Sequence, residues 1–274
     1  WSLLQEDFVK KCKYSKIFSD LKLRAGWGKT GNSNISRGNS SFQYTTLNSS
    51  YAILNGETDS IVHGKVLTNT PNPDIKWETT VQAEIGVDFA ILNNRLTGSL
   101  DFFQKTTENM LLAVPTMQPA PTPFIIKNID KGTIVNKGIE LSLAGHAIDK
   151  NDFKIYLNGN LTLIKNKVID LPVDQIPTGF ASGNGLNLST QRIVNEHPMY
   201  VFYGYKFLGY DDKGLAVYAD ADGNPTSESN AVKQYIGDPN PKFSWGLTTK
   251  ITYKKLQLDI FLDGKHGQDI YNNV

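Results

Sequence analysis

Several short strings in the sequence contain the residue types that binding and catalytic sites use, and one of them is rich in glycine. Gly26, Gly28 and Gly31 form a G-x-G-x-x-G pattern after a predicted strand. Such a pattern binds a dinucleotide phosphate when a helix begins directly after it, because a helix N-terminus attracts anions. The residues that follow, NSNISRGNSS, are polar and poor in helix formers. The pattern therefore favours a strand that enters a glycine-rich loop.

A second string, DADGN, resembles the start of a calcium-binding loop. Asp220, Asp222 and Asn224 have the spacing of the first ligands of such a loop. An EF-hand also needs glycine at its sixth position and an acidic ligand at its twelfth. Counting from Asp220 places Pro225 sixth. We therefore favour a polar turn and leave calcium binding as the alternative.

The remaining patterns for acid–base, nucleophilic and metal chemistry are weak. Glu84 and Asp88 lie on one face of a predicted strand, but a glycosidase needs one of its two carboxyl groups desolvated. Cys12 is the single cysteine, so it supports neither an intrachain disulfide nor a cysteine zinc cluster. No G-x-S-x-G elbow occurs, and the histidines lack metal-binding spacing: His63, His146, His197 and His266. The sequence predicts a protein that is not an enzyme and uses no cofactor.

The elements that carry these residues are long strands with a strict two-residue alternation. In the segment 81–91, apolar residues such as Val87 and Phe89 alternate with polar ones such as Glu84 and Asp88. Successive side chains of a strand point to opposite faces, so one face is apolar and the other polar. The same pattern recurs in five further segments: 96–103, 139–147, 153–163, 243–253 and 256–262. No apolar-face position in these segments is charged.

The opposite face carries the residues that we expect to line an aqueous interior: Glu84, Asp88, Asp101, Glu140, His146, Lys154, Lys250 and Asp259. Two environments produce such a two-faced strand. A soluble sandwich packs its apolar face into a core. A transmembrane barrel shows its apolar face to lipid and its polar face to a lumen.

Strand and loop lengths favour the barrel. Soluble strands usually have about 5–6 residues, whereas tilted membrane strands need roughly 9–11, and several of these segments reach that length. Very short turns are predicted near 92–94, 149–152 and 254–255, and long polar stretches at 31–74, 105–134 and 165–199. Outer-membrane barrels have this asymmetry, with short periplasmic turns and long extracellular loops. The predicted fold class is all-β, an antiparallel transmembrane β-barrel.

The number of strands follows less directly from the pattern than their type. Segments 21–29 and 199–210 also read as strands, which raises the predicted number to about eight. If 199–210 crossed the membrane, the strand starting at 243 would run in the wrong direction for the short turn at 254–255. Either a further strand lies within 211–236, or 199–210 stays in the outer loop. The net charge of +1 gives no electrostatic footprint for nucleic acid.

Several stretches resemble, in order, the SusC/RagA class of TonB-dependent outer-membrane transporters. The longest is NPDIKWETTVQAEIGVDFAILNNRLTGSLDFFQKTTENMLL at 72–112. The others occupy 21–32, 134–143, 202–210, 235–247 and 258–272. The resemblance covers essentially all of 1–274. It implies the C-terminal part of a 22-stranded barrel, a size at which the lumen is plugged.

The resemblance also implies a function in a Gram-negative outer membrane. A SusD-like surface lipoprotein would cover the mouth and capture an oligosaccharide or peptide. A plug would then be moved by the TonB–ExbB–ExbD complex, and some residues of the polar face would contact that plug. No residues here correspond to the plug, the TonB box or a signal peptide.

The outer loops contain the residues that we expect to meet a lid or a cargo molecule. The stretch 113–124 is poor strand material because proline removes ladder donors, and its prolines would form a stiff lid contact: Pro115, Pro119, Pro121 and Pro123. Aromatic rings that could stack on cargo are Tyr44, Tyr51 and Phe180. Two other functions remain open, a soluble or surface-attached carbohydrate-binding adhesin and a passive porin.

Overall fold

A computed structural model describes residues 1–11, 17–53, 61–117, 119–129, 131–183 and 186–272, and strands dominate it. The strands are β1 (Phe18–Asn32), β2 (Tyr44–Ile53), β3 (Ile61–Leu67), β4 (Glu78–Ile91), β5 (Leu96–Glu108), β6 (Leu111–Pro115), β7 (Phe124–Asn128), β8 (Thr133–Lys150), β9 (Phe153–Ile169), β10 (Gln175–Gly183), β11 (Leu186–Val194), β12 (Val201–Tyr205), β13 (Phe207–Tyr210), β14 (Ala216–Ala219), β15 (Pro225–Thr226), β16 (Lys233–Gly237), β17 (Phe243–Tyr253) and β18 (Leu256–His266). Helical structure in these ranges comprises α1 (Asp7–Lys10) and short 3₁₀ turns at Leu3–Gln5, Arg37–Asn39 and Glu228–Asn230. No helix in the described ranges is long and apolar enough to cross a membrane.

The longest strands form one antiparallel sheet of seven strands in the order β1-β4-β5-β8-β9-β17-β18. Each strand pairs with the next long strand along the chain, as an up-and-down barrel wall requires. The six alternating segments and the segment 21–29 are confirmed as strands of this sheet. β1 and β18 form its two edges and do not pair with each other, so the sheet stays open within the described residues.

The register places the apolar positions of neighbouring strands on one common face. One row runs across five strands through Val87, Leu100, Leu141, Leu161 and Trp245. Residues directly opposite each other in an antiparallel pair lie on the same side of the sheet. The division into an apolar and a polar face therefore holds for the sheet as a whole.

The apolar face has no second layer packed over it. Leu143 and Leu157 keep 38% and 37% of their surface exposed, although both lie in the middle of the sheet. A soluble sandwich would bury such residues between two sheets. The apolar side of β4 extends from Val81 to Ile91, which at ~3.3 Å per residue and a tilt of about 40° gives a band about 25 Å tall. That height matches the hydrocarbon-facing band of outer-membrane barrels.

Short turns lie at one end of the sheet, as the sequence predicts. The first turn contains Leu92, Asn93 and Asn94 with φ values of 55°, 55° and 63°, a left-handed conformation that asparagine adopts more readily than most residues. The second turn is shorter than predicted, because β8 reaches Lys150 and β9 begins at Phe153. The third lies at 254–255, between β17 and β18.

A bulge near the second turn changes one detail of the predicted faces. The register of β8 against β9 shifts between His146 and Ile148. Ile148 then lies opposite Ile155 and continues the apolar face, a position that the sequence pattern gives to Ala147. An extra residue in one strand shifts the alternation by one, and uninterrupted periodicity cannot anticipate this.

The prediction of about eight spanning strands is wrong by one, because 199–210 stays in the outer loop. β12 pairs with β11 and β16, and not with a strand of the seven-stranded sheet. β9 pairs directly with β17, which makes the turn at 254–255 consistent with the strand directions. The third outer loop therefore covers 170–242 and contains two small sheets, β10-β11-β12-β16 and β13-β14-β15.

The buried core lies in the outer loops and not behind the large sheet. Its cluster consists of Met110, Ile129, Val168, Leu171, Ile176, Ile193 and Met199. These residues join the second loop, which carries the hairpin β6–β7, to the third loop and the end of β9. The outer loops are thus folded against each other at the loop end of the sheet.

Candidate functional site

The polar face of the sheet contains an ion-pair network centred on Arg24. Its Nε donates to Asp88 Oδ2 and its Nη2 donates to Asp101 Oδ1, each at 2.8 Å. The network joins β1, β4 and β5. Gly86 makes the space for it, because a Cβ on this residue would lie 1.9 Å from Asp101 Oδ1.

Two further carboxylates surround this network. Glu140 lies directly across from Asp101 in the register of β5 and β8. Glu84 accepts a hydrogen bond of 2.7 Å from Gln82 Nε2. Arg24 is outnumbered by four carboxylates in this region, so the surface is acidic.

Arg24 is the residue of this face that the sequence prediction missed. The signal was present, because Leu21, Leu23 and Ala25 alternate with Lys22 and Arg24. The register confirms that alternation, with Leu23 opposite Val87 on the apolar side. Applying the two-face rule to the first strand would have identified Arg24.

The other predicted residues of this face lie on the same side but do not form one cluster. The rings of His146 and Tyr156 are 5.2 Å apart. Lys154 Nζ lies 3.1 Å from Asp149 Oδ1 near the short turns. Lys250 and Asp259 lie opposite each other on β17 and β18. The structure therefore brings all eight predicted residues onto one face, and whether that face lines a lumen stays a prediction.

The outer-loop candidates lie in hairpins rather than in one pocket. Tyr44 begins β2 and is 62% exposed. Pro115 ends β6 opposite Phe124, whereas the other prolines lie in the connecting loop and are exposed: Pro119, Pro121 and Pro123. The side chains of Tyr51, in β2, and Phe180, in β10, lie outside the described part of the structure.

The prediction that 113–124 avoids strand structure is therefore wrong at its two ends. Leu111–Pro115 pairs with Phe124–Asn128, and the Thr116 N–H donates to the Pro123 carbonyl at 2.9 Å. Pro115 occupies the last strand position, where its missing N–H does not interrupt the ladder. The stiff segment is the tip, 116–123.

The Asp220 turn uses its carboxylate for the backbone. Asp220 Oδ1 accepts hydrogen bonds from the N–H groups of Asn224 and Asp222 at 2.8 and 2.9 Å. These donors, Asn224 foremost, lower the pKa of Asp220. This geometry fits the polar turn that we favour, and the described residues contain no group of three or more His, Cys, Asp or Glu placed to hold a metal ion. Gly26, Gly28 and Gly31 lie within β1, where no helix follows the glycine pattern.

An aromatic and cationic cluster in the third loop was not predicted. The rings of His197 and Tyr235 are 4.2 Å apart, those of Tyr203 and Tyr235 are 5.4 Å apart, and the Arg192 guanidinium lies 4.9 Å from the Tyr203 ring. Burial raises the pKa of Tyr235. These residues come from four separate loop segments, so no local sequence pattern reveals the cluster. Rings and cations of this kind can contact sugars or peptide side chains.

Comparisons with known proteins agree with the barrel architecture. The family described as TonB dependent receptor-like, beta-barrel, matches residues 14–264. TonB-dependent receptor P3 of Formosa agariphila is 32% identical over 292 residues, covering 99% of this chain and 28% of that protein. TonB-dependent receptor SusC of Bacteroides thetaiotaomicron is 29% identical, covering 99% of this chain and 27% of that protein.

The solved structures give the same fold. The RagAB peptide importer in its 'closed-closed' state superposes with a TM-score of 0.77 at 24% identity, covering 98% of this chain and 28% of that chain. The chain thus spans little more than a quarter of the length of the relatives that it matches. The resemblance to the SusC/RagA class, stated from sequence stretches, is confirmed. The chain belongs to the family of TonB-dependent receptor-like β-barrels.

Proposed function

We propose that this chain forms part of the wall and outer loops of an outer-membrane transporter in a Gram-negative bacterium. The observation that carries the proposal is the seven-stranded sheet with one uncovered apolar face and one acidic, hydrated face. In water the apolar face would be costly to expose, whereas lipid covers it without a second protein layer. Membership of the TonB-dependent receptor-like family supports this environment.

The cargo that we propose is an oligosaccharide or a peptide, taken up with energy transmitted by TonB. Two relatives support this class of function by their names, SusC and the RagAB peptide importer. The exposed polar face and the aromatic cluster at Tyr203 and Tyr235 offer hydrogen bonds and ring contacts suited to either cargo. Neither feature requires the chain to make or break a covalent bond.

The partner that we propose is a SusD-like lipoprotein resting on the outer loops. The hairpin tip 116–123 is stiffened by Pro119, Pro121 and Pro123, so ordering it against a partner costs little conformational entropy. The loop core holds this hairpin against the third loop, since Met110 and Ile129 belong to the same buried cluster as Ile193. A partner would therefore meet a preformed surface.

The test uses the full-length transporter that contains this chain. Cells lacking it are grown on a panel of single oligosaccharides and single peptides, and uptake of a labelled cargo is measured with and without a protonophore. We expect lost growth on one cargo class and uptake that the protonophore abolishes. Uptake that survives the protonophore would favour a passive porin. A soluble product without heat-modifiable gel mobility would favour the adhesin.

A further inference from the structure

A groove of about 800 Å³ lies on the loop end of β5, β8 and β9, at the upper border of the apolar face. Its lower part is lined by Phe102, Ile139 and Leu163, which belong to that face. Segments 196–198 and 238–242 of the third loop form its upper part. The groove is therefore apolar below and bounded by loop residues above.

Two lysines face each other directly above the apolar residues. Lys137 on β8 lies opposite Lys165 on β9, one pleat beyond the pair of Ile139 and Leu163 and on the same face. Like charges in directly opposed positions destabilise a sheet. Both side chains are exposed, and no ion pair within the described ranges involves either of them. The sheet thus holds two uncompensated cations close together where its apolar band ends.

The acidic residues of the groove are already engaged. Glu196 pairs with Lys167. Asp238 Oδ1 accepts the Asn240 N–H and Nδ2 at 2.9 and 2.8 Å. Lys242 also lines the groove, so four lysines face only two carboxylates. The remaining charge is positive and suits a phosphate.

We propose that this groove binds a phosphorylated glycolipid of the outer leaflet, with acyl chains along Phe102, Ile139 and Leu163 and a phosphate between Lys137 and Lys165. The inference rests on the proposed membrane location. In that location the lysines lie about 6–7 Å beyond the last apolar row, the level at which headgroups replace hydrocarbon. A soluble anion would satisfy the lysines but would leave the apolar part of the groove uncovered.

The experiment measures lipid binding by the full-length transporter. The protein is placed in nanodiscs of phosphatidylcholine, and binding of purified lipopolysaccharide is compared with binding of the same lipid after enzymatic dephosphorylation. The test variant is Lys137→Gln/Lys165→Gln. The matched control is Lys29→Gln/Lys105→Gln, which removes two lysines that do not line the groove. Two basic side chains near an anionic lipid surface together strengthen binding by roughly thirtyfold.

We expect the test variant to bind lipopolysaccharide about thirtyfold more weakly and the control variant to bind like the wild type, in line with that charge effect. Dephosphorylation should weaken wild-type binding to a similar degree. Unchanged binding by the test variant would overturn the proposal, and so would displacement of the lipid by millimolar inorganic phosphate, which would indicate a free-anion site. Cargo uptake by cells carrying the test variant should persist. Loss of heat-modifiable mobility in the wild type would instead overturn the proposed function.

Discussion

At the residue scale, adjacent side chains on one strand should respond oppositely to the same substitution. Leu141 lies between Leu100 and Leu161 on the apolar face, whereas the next residue, Glu140, lies opposite Asp101 on the polar face. We expect Leu141→Arg to lower the free energy of unfolding by about 2–4 kcal/mol, because its charge meets hydrocarbon near the midplane. Glu140→Arg should be much milder, since it meets water and a carboxylate. The measurement is urea unfolding of the barrel in lipid vesicles, and equal losses would contradict the assignment of the faces.

The Arg24 network gives a second prediction at this scale. Arg24→Gln leaves Asp88 and Asp101 without their shared cation. These side chains are partly exposed, so we expect a loss of only about 1 kcal/mol in the free energy of unfolding. The matched control is Lys22→Gln, which breaks a single ion pair with Asp20 on the same strand and should cost about 0.5 kcal/mol or less. A loss no larger in Arg24→Gln than in this control would show that the network does not couple the strands.

The candidate residues show which features of a site a sequence can reveal. Parity along a strand placed Glu84, Asp101 and Glu140 on one face, because the alternation depends only on local geometry. The cluster of Tyr203 and Tyr235 depends on pairing between β12 and β16, which lie far apart in the sequence. Such contacts between distant segments leave no periodic signal.

At the scale of elements, the outer loops should open without loss of the barrel when their core is weakened. Ile193 in β11 is 1% exposed and packs in the cluster that contains Val168. We expect Ile193→Ala to cost about 2–5 kcal/mol of local stability, because the lost methyl groups leave a cavity. The measurement is protease cleavage within 170–242 on intact cells, which should become faster. Leu188→Ala is the control, since Leu188 is 58% exposed, and equal sensitivity of the two variants would contradict a shared loop core.

The hairpin β6–β7 gives the second prediction for an element. Deleting 117–122 removes its stiff tip but keeps the paired residues Leu111–Pro115 and Phe124–Asn128. We expect the barrel to retain heat-modifiable mobility, whereas co-purification of the SusD-like lipoprotein falls severalfold. A deletion of similar length at 211–216, in another outer turn, serves as the control. If the tip deletion abolished membrane insertion instead, the hairpin would belong to the barrel wall.

The strands themselves were predictable to different degrees. Segments such as 81–91 and 153–163 combine length with alternation, and both form wall strands. The segment 199–210 has a similar composition, but its partners are the loop strands β11 and β16. Propensity indicates that such a segment is extended, whereas only its pairing decides whether it crosses the membrane.

At the scale of the whole molecule, the distribution of burial separates a membrane wall from a soluble domain. Buried apolar side chains such as Val168 and Met110 lie in the loop region, whereas the centre of the sheet remains exposed on its apolar face. A soluble protein of this length places its largest strands around its core. Because only every second residue of a wall strand meets lipid, the two-residue alternation predicts this fold and the total apolar content of the chain does not.

The two unpaired edges of the seven-stranded sheet have a consequence for biogenesis. β1 and β18 each have one long neighbour in this sheet, so their outer N–H and C=O groups need partners. In hydrocarbon each unsatisfied group costs several kcal/mol, and in water a long exposed edge invites aggregation. Ring closure with further strands must therefore accompany or precede entry into the bilayer. Insertion strand by strand, as an independent helix can achieve, is closed to this polypeptide.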